Sequence, residues 1–294
     1  LTILSLIAVL FTPPINGATS WFNIGPFSFQ PAEFAKIAVV LFMANVMVKL
    51  QQKGREEINR FCKLGIILAT VAVPTLLIIK QPDYGTALAF LVALIFMLYV
   101  AGINKKYIIT AVLLVVILVP LAYFFILPEH AKARIDVYLN PNLDPRGDGY
   151  NIIQSKLAIG AGQIFGMGLF KGNQTQLGYL YPKTTDFIFA VISEEMGFVV
   201  AGAIIVLYVI LITKSIQVAK TAKDDLGSYI ATGIVGIFFF HMLENIGMTM
   251  GLLPITGIPL PFVSYGGSSM LTNLTLIAIL LNISTRRKKA MFIE

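Results

Sequence analysis

Residues 85–128 read GTALAFLVALIFMLYVAGINKKYIITAVLLVVILVPLAYFFILP, two apolar runs joined by a short turn that carries Lys105 and Lys106. An α-helix rises about 1.5 Å per residue, so about 20 apolar residues cover the roughly 30 Å hydrocarbon core of a bilayer. No charged residue lies between Thr86 and Val100 or between Ile108 and Phe125. The stretch therefore reads as a helical hairpin inside a membrane, turned sharply on its basic side.

Outward from this hairpin, runs of similar character occur at about 31–50, 64–80, 186–213, 228–252 and 268–285. With 85–103 and 107–128 they make seven whole spans, and Leu1–Phe11 reads as the tail of another. The chain starts at Leu1, and that run lacks the basic flank and length of a signal peptide, so an N-terminally truncated protein is expected. Apolar residues make up 57% of the chain and charged ones 13%, with a mean hydropathy of +0.82. Soluble domains carry about 25% charged residues, so the expected fold is all-α, one polytopic transmembrane bundle over residues 1–294. Neither an internal repeat nor a heptad array is evident.

The net charge of +7 and pI near 9.4 do not point to nucleic acid, because the basic residues fall in short clusters between apolar runs. Lys49, Lys53, Arg55, Arg60 and Lys63 form one cluster, and Lys105 and Lys106 a second. Lys214, Lys220 and Lys223 form a third, and Arg286, Arg287, Lys288 and Lys289 a fourth. These occupy alternate connectors, which the positive-inside rule assigns to the cytoplasm together with the C-terminus. Cys62 is the only cysteine, which excludes an intramolecular disulfide and argues against a thiolate metal cluster.

The opposite set of connectors is then extracytoplasmic and includes the longest, Leu127–Thr185. Structureless connections of that length are uncommon unless functional. Its Asn140–Gly149 stretch is dense in turn residues, whereas Tyr150–Phe170 is apolar, interrupted by glycine, and expected to lie on or dip into the membrane. The second outer connector, Leu253–Gly267, sets Pro254, Pro259 and Pro261 among apolar residues, as backbone lining a groove would be. For Gly266-Gly267, close packing is expected over phosphate binding, since no P-loop spacing is present.

Ionisable residues in or beside apolar runs are costly and so informative. They are Glu33, Lys36, Asp186, Glu194, Glu195, His241 and Glu244. Glu33 and Lys36, spaced i, i+3 after Pro31, share a face of a helix start. They read either as a structural pair or as a cation at the outer surface meeting a diphosphate. Asp186 reads as a helix cap or as an active carboxylate where the longest outer connector meets the membrane, beside Lys183. Glu194 and Glu195 suggest helix–helix polar contacts. His241 and Glu244 suggest interhelical hydrogen bonds rather than a metal site, because a single H-x-x-E pair has no second pair to complete it.

Read in order, six runs resemble the shape, elongation, division and sporulation family of bacterial membrane glycosyltransferases, which includes RodA and FtsW. They are Trp21–Gly25, FQPAEFAK at 29–36, QPDYGTA at 81–87, DPRGDGYNIIQSKLAIGAGQIFGMG at 144–168, TDFIFAVISEEMG at 185–197 and GLLPITGIPLPFVSYGGSS at 251–269. The wording of QPDYGTA and GYNIIQSKLAIG is nearer RodA, the elongation member.

The resemblance implies ten helices, the first two and part of the third absent here. It also implies polymerisation of lipid II into glycan strands at the plasma membrane, with inversion at the anomeric carbon. A class B penicillin-binding protein transpeptidase is the implied partner, with other elongation-complex membrane proteins. It makes Asp186 the essential carboxylate and candidate general base. Trp21, Glu33, Lys36, Asp83, Gln154, Lys156, Lys183 and Ser264 are assigned to substrate binding or site support. No tightly bound cofactor or protein-held metal is expected, although a divalent cation, Mg or Mn, fits a diphosphate leaving group. Where the family often has P-E-x-H before T-D-F-I-F, this chain has Tyr181-Pro182-Lys183-Thr184, which leaves no base at those positions. Two other readings remain: a lipid II flippase, or a non-catalytic scaffold of the elongation or division machinery.

Overall fold

A computed structural model describes residues 1–14, 18–24, 27–125, 127, 129–144, 147–182 and 184–286. Its elements are α1 (Thr2–Ala8), the strands β1 (Phe22–Ile24) and β2 (Phe27–Phe29), α2 (Pro31–Leu50), α3 (Phe61–Ile79), α4 (Tyr84–Ala101) and α5 (Lys105–Phe125). They continue with α6 (Glu129–Leu139), α7 (Asp148–Ala161), α8 (Asn173–Gln176), α9 (Ile188–Thr221), α10 (Asp225–Thr249) and α11 (Gly267–Thr285). Seven of these helices, α2 to α5 and α9 to α11, are long and apolar enough to cross a membrane, and each overlaps a run read from the sequence.

Local chemistry sets the ends. Pro31 opens α2, with Glu33 in its first turn and Lys49 in its last, each at the favourable end of the helix dipole. Asp83 caps α4 by accepting from the Thr86 N–H at 3.0 Å, and Gly102 ends it in the left-handed conformation. Two features depart from the sequence reading. The connector before α2 holds a short antiparallel hairpin in which Phe22 faces Phe29. The long outer connector is largely helical, with α6, a 3-10 turn at Pro141–Leu143, α7 and α8 within it.

Contacts cluster in two units. The first comprises Leu1–Asn104, Ile210–Phe240 and Gly266–Glu294. Its core includes Met43, Met47, Ile67, Ile78, Met97 and Phe238. Backbones approach closely at two glycines of α10: a Cβ on Gly233 would lie 2.7 Å from Val40, and one on Gly236 would lie 2.8 Å from the Ala93 Cα. Such small-residue contacts let membrane helices pack without a hydrophobic drive between them. Polar bonds lace the basic end of this unit. Arg55 pairs with Asp225 at 2.5 Å, Tyr229 donates to the Gln51 amide oxygen at 2.5 Å, and Gln51 donates to the Ala101 carbonyl at 2.7 Å.

The second unit comprises Lys105–Val209 and His241–Tyr265. Its core gathers Val137, Ile152, Ala158, Leu180, Phe187, Ala190, Met248 and Ile255, so α6, α7, the start of α9 and the end of α10 share one apolar centre. Ser155 donates to the Thr249 carbonyl at 2.7 Å and Tyr138 to that of Leu252 at 3.1 Å. Within α9 the helical geometry breaks at Gly197, whose φ is 73°.

Candidate active site

Asp186 lies in the turn before α9, which starts two residues later, and it is half-buried. Its main chain is fixed from two sides. The Asn245 amide of α10 donates to the Asp186 carbonyl at 2.9 Å and to that of Ile258 at 2.8 Å, bridging the turn to the outer connector. Ser264 donates to the Thr185 carbonyl at 2.6 Å while accepting from the Leu260 N–H at 2.8 Å. The Tyr265 N–H donates to the Thr184 carbonyl at 3.0 Å. The carboxylate lies beside Gly257, where a Cβ would come within 3.5 Å of Oδ2. A glycine there, at φ 73°, keeps space next to the acid.

The connector facing Asp186 is itself strapped to α10. The His241 ring Nδ1 bonds the Pro259 carbonyl at 3.1 Å, and Glu244 accepts from the Thr256 hydroxyl at 2.9 Å. From α9, Tyr208 donates to the Pro261 carbonyl. The sequence suggested interhelical bonds for His241 and Glu244; the bonds seen here run to a proline-broken strap. Asn245 carries no ionisable group and so does not stand out by charge. An amide inside an apolar run, one residue from Glu244, was the available signal.

Glu194 and Glu195 make helix–helix polar contacts, but with the short helix α8 of the long outer connector. Glu194 accepts from the Gln174 and Thr175 N–H groups at 2.8 and 3.0 Å, satisfying the otherwise orphaned start of α8. Glu195 accepts from the Phe170 N–H at 3.0 Å and the Gln176 amide at 2.6 Å.

Gln154 and Lys156 lie on α7, the first half-buried and the second exposed. Lys156 crosses Gly251 so closely that a Cβ there would meet its Nζ at 2.5 Å. Lys183 lies outside the described residues. Gly266-Gly267 does not pack closely: a Cβ at Gly267 would meet nothing within 4 Å, and Gly266 makes ordinary contact.

Trp21, Glu33, Lys36 and Asp83 belong to the first unit. Lys36 donates to Glu33 at 2.9 Å, and the two side chains are 0% and 2% exposed. Lys36 is therefore an interior cation and not the outer-surface one that the sequence allowed; an i, i+3 pair in an apolar helix is turned inward, where each charge offsets the other. Gln30 donates to Asp83 at 3.1 Å, and its N–H donates to Ser268 at 3.3 Å. Loss of water around Asp83 pushes its carboxyl above the ordinary value, opposed by the Thr86 hydrogen bonds. Trp21 is half-buried beside β1. Among the described residues no three His, Cys, Asp or Glu side chains gather as a metal site.

The model of the cell cycle protein family FtsW/RodA/SpoVE matches residues 1–289. The chain belongs to that family. It is 39% identical over 288 residues to the peptidoglycan glycosyltransferase MrdB of Escherichia coli K12, covering 97% of this chain and 76% of that protein. Among solved structures, it matches a chain of a peptidoglycan synthase complex described as coordinating polymerisation and crosslinking. The TM-score is 0.80 and the identity 28%, over 98% of this chain and 80% of that one. The rod shape determining protein RodA of Thermus thermophilus matches with a TM-score of 0.68 at 25% identity, over 98% and 76% of the two chains. Family and fold together make this a multi-pass membrane peptidoglycan glycosyltransferase.

Proposed function

We propose that Asp186 is the general base of the transferase, acting on the outer face of the plasma membrane during cell elongation. The observation that carries this is the mounting of Asp186: its backbone is pinned by Asn245 while its half-buried carboxylate lies beside a glycine. A base needs fixed position together with access, and this arrangement supplies both.

In strand extension an acceptor sugar hydroxyl attacks the anomeric carbon of lipid II. Asp186 takes the hydroxyl proton as the new C–O bond forms, and the bond from that carbon to the lipid diphosphate breaks on the opposite side, giving inversion. The diphosphate leaves as an anion, so the departing group needs positive charge rather than an acid. Lys156, exposed in the same unit as Asp186, is the candidate for that role. Mg or Mn accompanying the diphosphate would share its charge. The buried Glu33–Lys36 pair stiffens the helix start.

The clusters of Lys and Arg between spans support a cytoplasmic C-terminus and an outer location for the connector 127–185. A class B penicillin-binding protein is the proposed crosslinking partner, in keeping with the coupled activities of the matching complex. Purified protein supplied with lipid II, alone and with such a partner, is expected to yield glycan polymer. Transbilayer movement of lipid II without polymer would instead support a flippase.

A further inference from the structure

The break in α9 at Gly197 is filled by a segment of the long connector, which joins the helix's own hydrogen-bond ladder. In an unbroken helix the Phe198 and Val199 N–H groups would donate to the carbonyls of Glu194 and Glu195. Here they donate to Gln163 at 2.9 Å and Ile164 at 3.2 Å, while the Glu194 and Glu195 carbonyls accept from Met167 and Gly168, both at 2.9 Å. The four groups freed by the break are all re-paired by one loop. Glycines permit the approach: a Cβ on Gly162 would lie 1.8 Å from the Ser193 carbonyl oxygen, and one on Gly166 would lie 2.3 Å from that of Glu195.

With its backbone turned to the helix, the segment sends its large side chains outward. Phe165 is 82% exposed and Phe170 80%, flanked by exposed Ile164 and Leu169 and by Phe198 of α9 itself. The depth of this patch follows from α9. Counting about 20 residues outward from Lys214, at the basic end of the span, reaches Glu194, the outer limit of a hydrocarbon core. Irregular backbone at that depth has to have its polar groups satisfied within the protein. The four exchanged bonds pair the Met167 and Gly168 N–H groups and the Gln163 and Ile164 carbonyls, joined by Gly166 N–H to the Gly162 carbonyl at 2.7 Å and by Phe170 N–H to Glu195. Lys171, exposed, follows at once, as a residue reaching back to headgroup phosphates would.

We infer that residues 163–170 insert into the outer leaflet beside α9, with Phe165 and Phe170 among the acyl chains, so that the partner of this surface is the lipid bilayer itself. The insertion anchors the outer end of α9, and with it the turn that carries Asp186, at a set height above the membrane. The choice of leaflet rests on the orientation proposed above.

The test uses the protein's single tryptophan, Trp21, replaced by Phe, and one new Trp introduced at a time, in nanodiscs. Because both faces of a nanodisc are open, insertion is read whatever the orientation. Phe165→Trp and Phe170→Trp should lose fluorescence to lipids brominated on the acyl chain as fully as Val206→Trp, an exposed position of α9, and resist aqueous iodide. Quenching by iodide to the extent seen for Asn142→Trp, or by neither agent, would overturn the inference. If the Trp variants misfold, nitroxides at the same positions in a Cys62→Ser background give the same reading. Greater collision with oxygen than with a water-soluble nickel chelate supports insertion, and the reverse refutes it.

Discussion

Glu33–Lys36 and Asp186 are charged groups in the same apolar chain, settled in opposite ways. The pair in the first unit is closed, each charge held 2.9 Å from its opposite and shut from solvent. Asp186, in the second unit, keeps partial exposure, and its backbone carbonyl is held by Asn245. A closed pair has its charges engaged with each other, and giving up a proton to an outside group would leave an uncompensated charge in the interior. An acid whose main chain is fixed can stay half-exposed without losing its position. Polar residues of membrane helices thus divide by what holds them, and rarity in the sequence does not separate the two kinds.

The comparison can be broken by substitution. Asp186→Asn should lower polymer formation by about 10²–10⁴-fold, the usual contribution of a general base, with the melting temperature in detergent unchanged. Glu33→Ala should act on stability instead, costing about 3–5 kcal/mol by removing the carboxylate that offsets the buried Lys36 charge, and Glu33→Met with Lys36→Met should recover most of it in thermal unfolding. Gly197→Ala forces a side chain into positive φ and within 2.3 Å of the Gly166 nitrogen. About 1–3 kcal/mol of destabilisation is expected, with proteolytic sensitivity of the 163–176 segment as the readout.

The smallest effects lie in the exposed pairs. Arg55→Ala should shift unfolding by less than about 1 kcal/mol, since the bond to Asp225 is solvent-screened. Nearby, the hydrogen bond from Lys63, with the Arg60 and Lys63 charges, holds the Glu57 carboxyl below its ordinary value. Its stabilisation is therefore complete above the unfolded carboxyl pKa and is lost as pH falls through the lower folded value. A pH series of melting temperatures should show that acid-side loss shrink in Glu57→Gln.

The spans were legible because a bilayer imposes one length and one polarity on every crossing, and α2 even announced its start through Pro31 and Glu33. Asp186 stood out by its place at the end of the longest outer connector. Residues 127–185 were harder, since α6 and α7 carry mixed polarity that hydropathy alone does not separate from a loop. The partners of Glu194, Glu195, His241 and Glu244 were hidden for a different reason. Each bonds backbone or hydroxyl groups of a connector, and which ones depends on where the chain folds back. The ladder exchange at Gly197 joins residues more than 20 apart, of which only the glycines leave a trace in sequence.

Chemical rescue tests the role of Asp186 most directly. Asp186→Ala protein, reconstituted with lipid II, should make almost no polymer, and added formate should restore polymerisation in a concentration-dependent way by supplying the missing carboxylate. Polymerisation at the wild-type rate by Asp186→Ala without formate would contradict the assignment of this acid as the base.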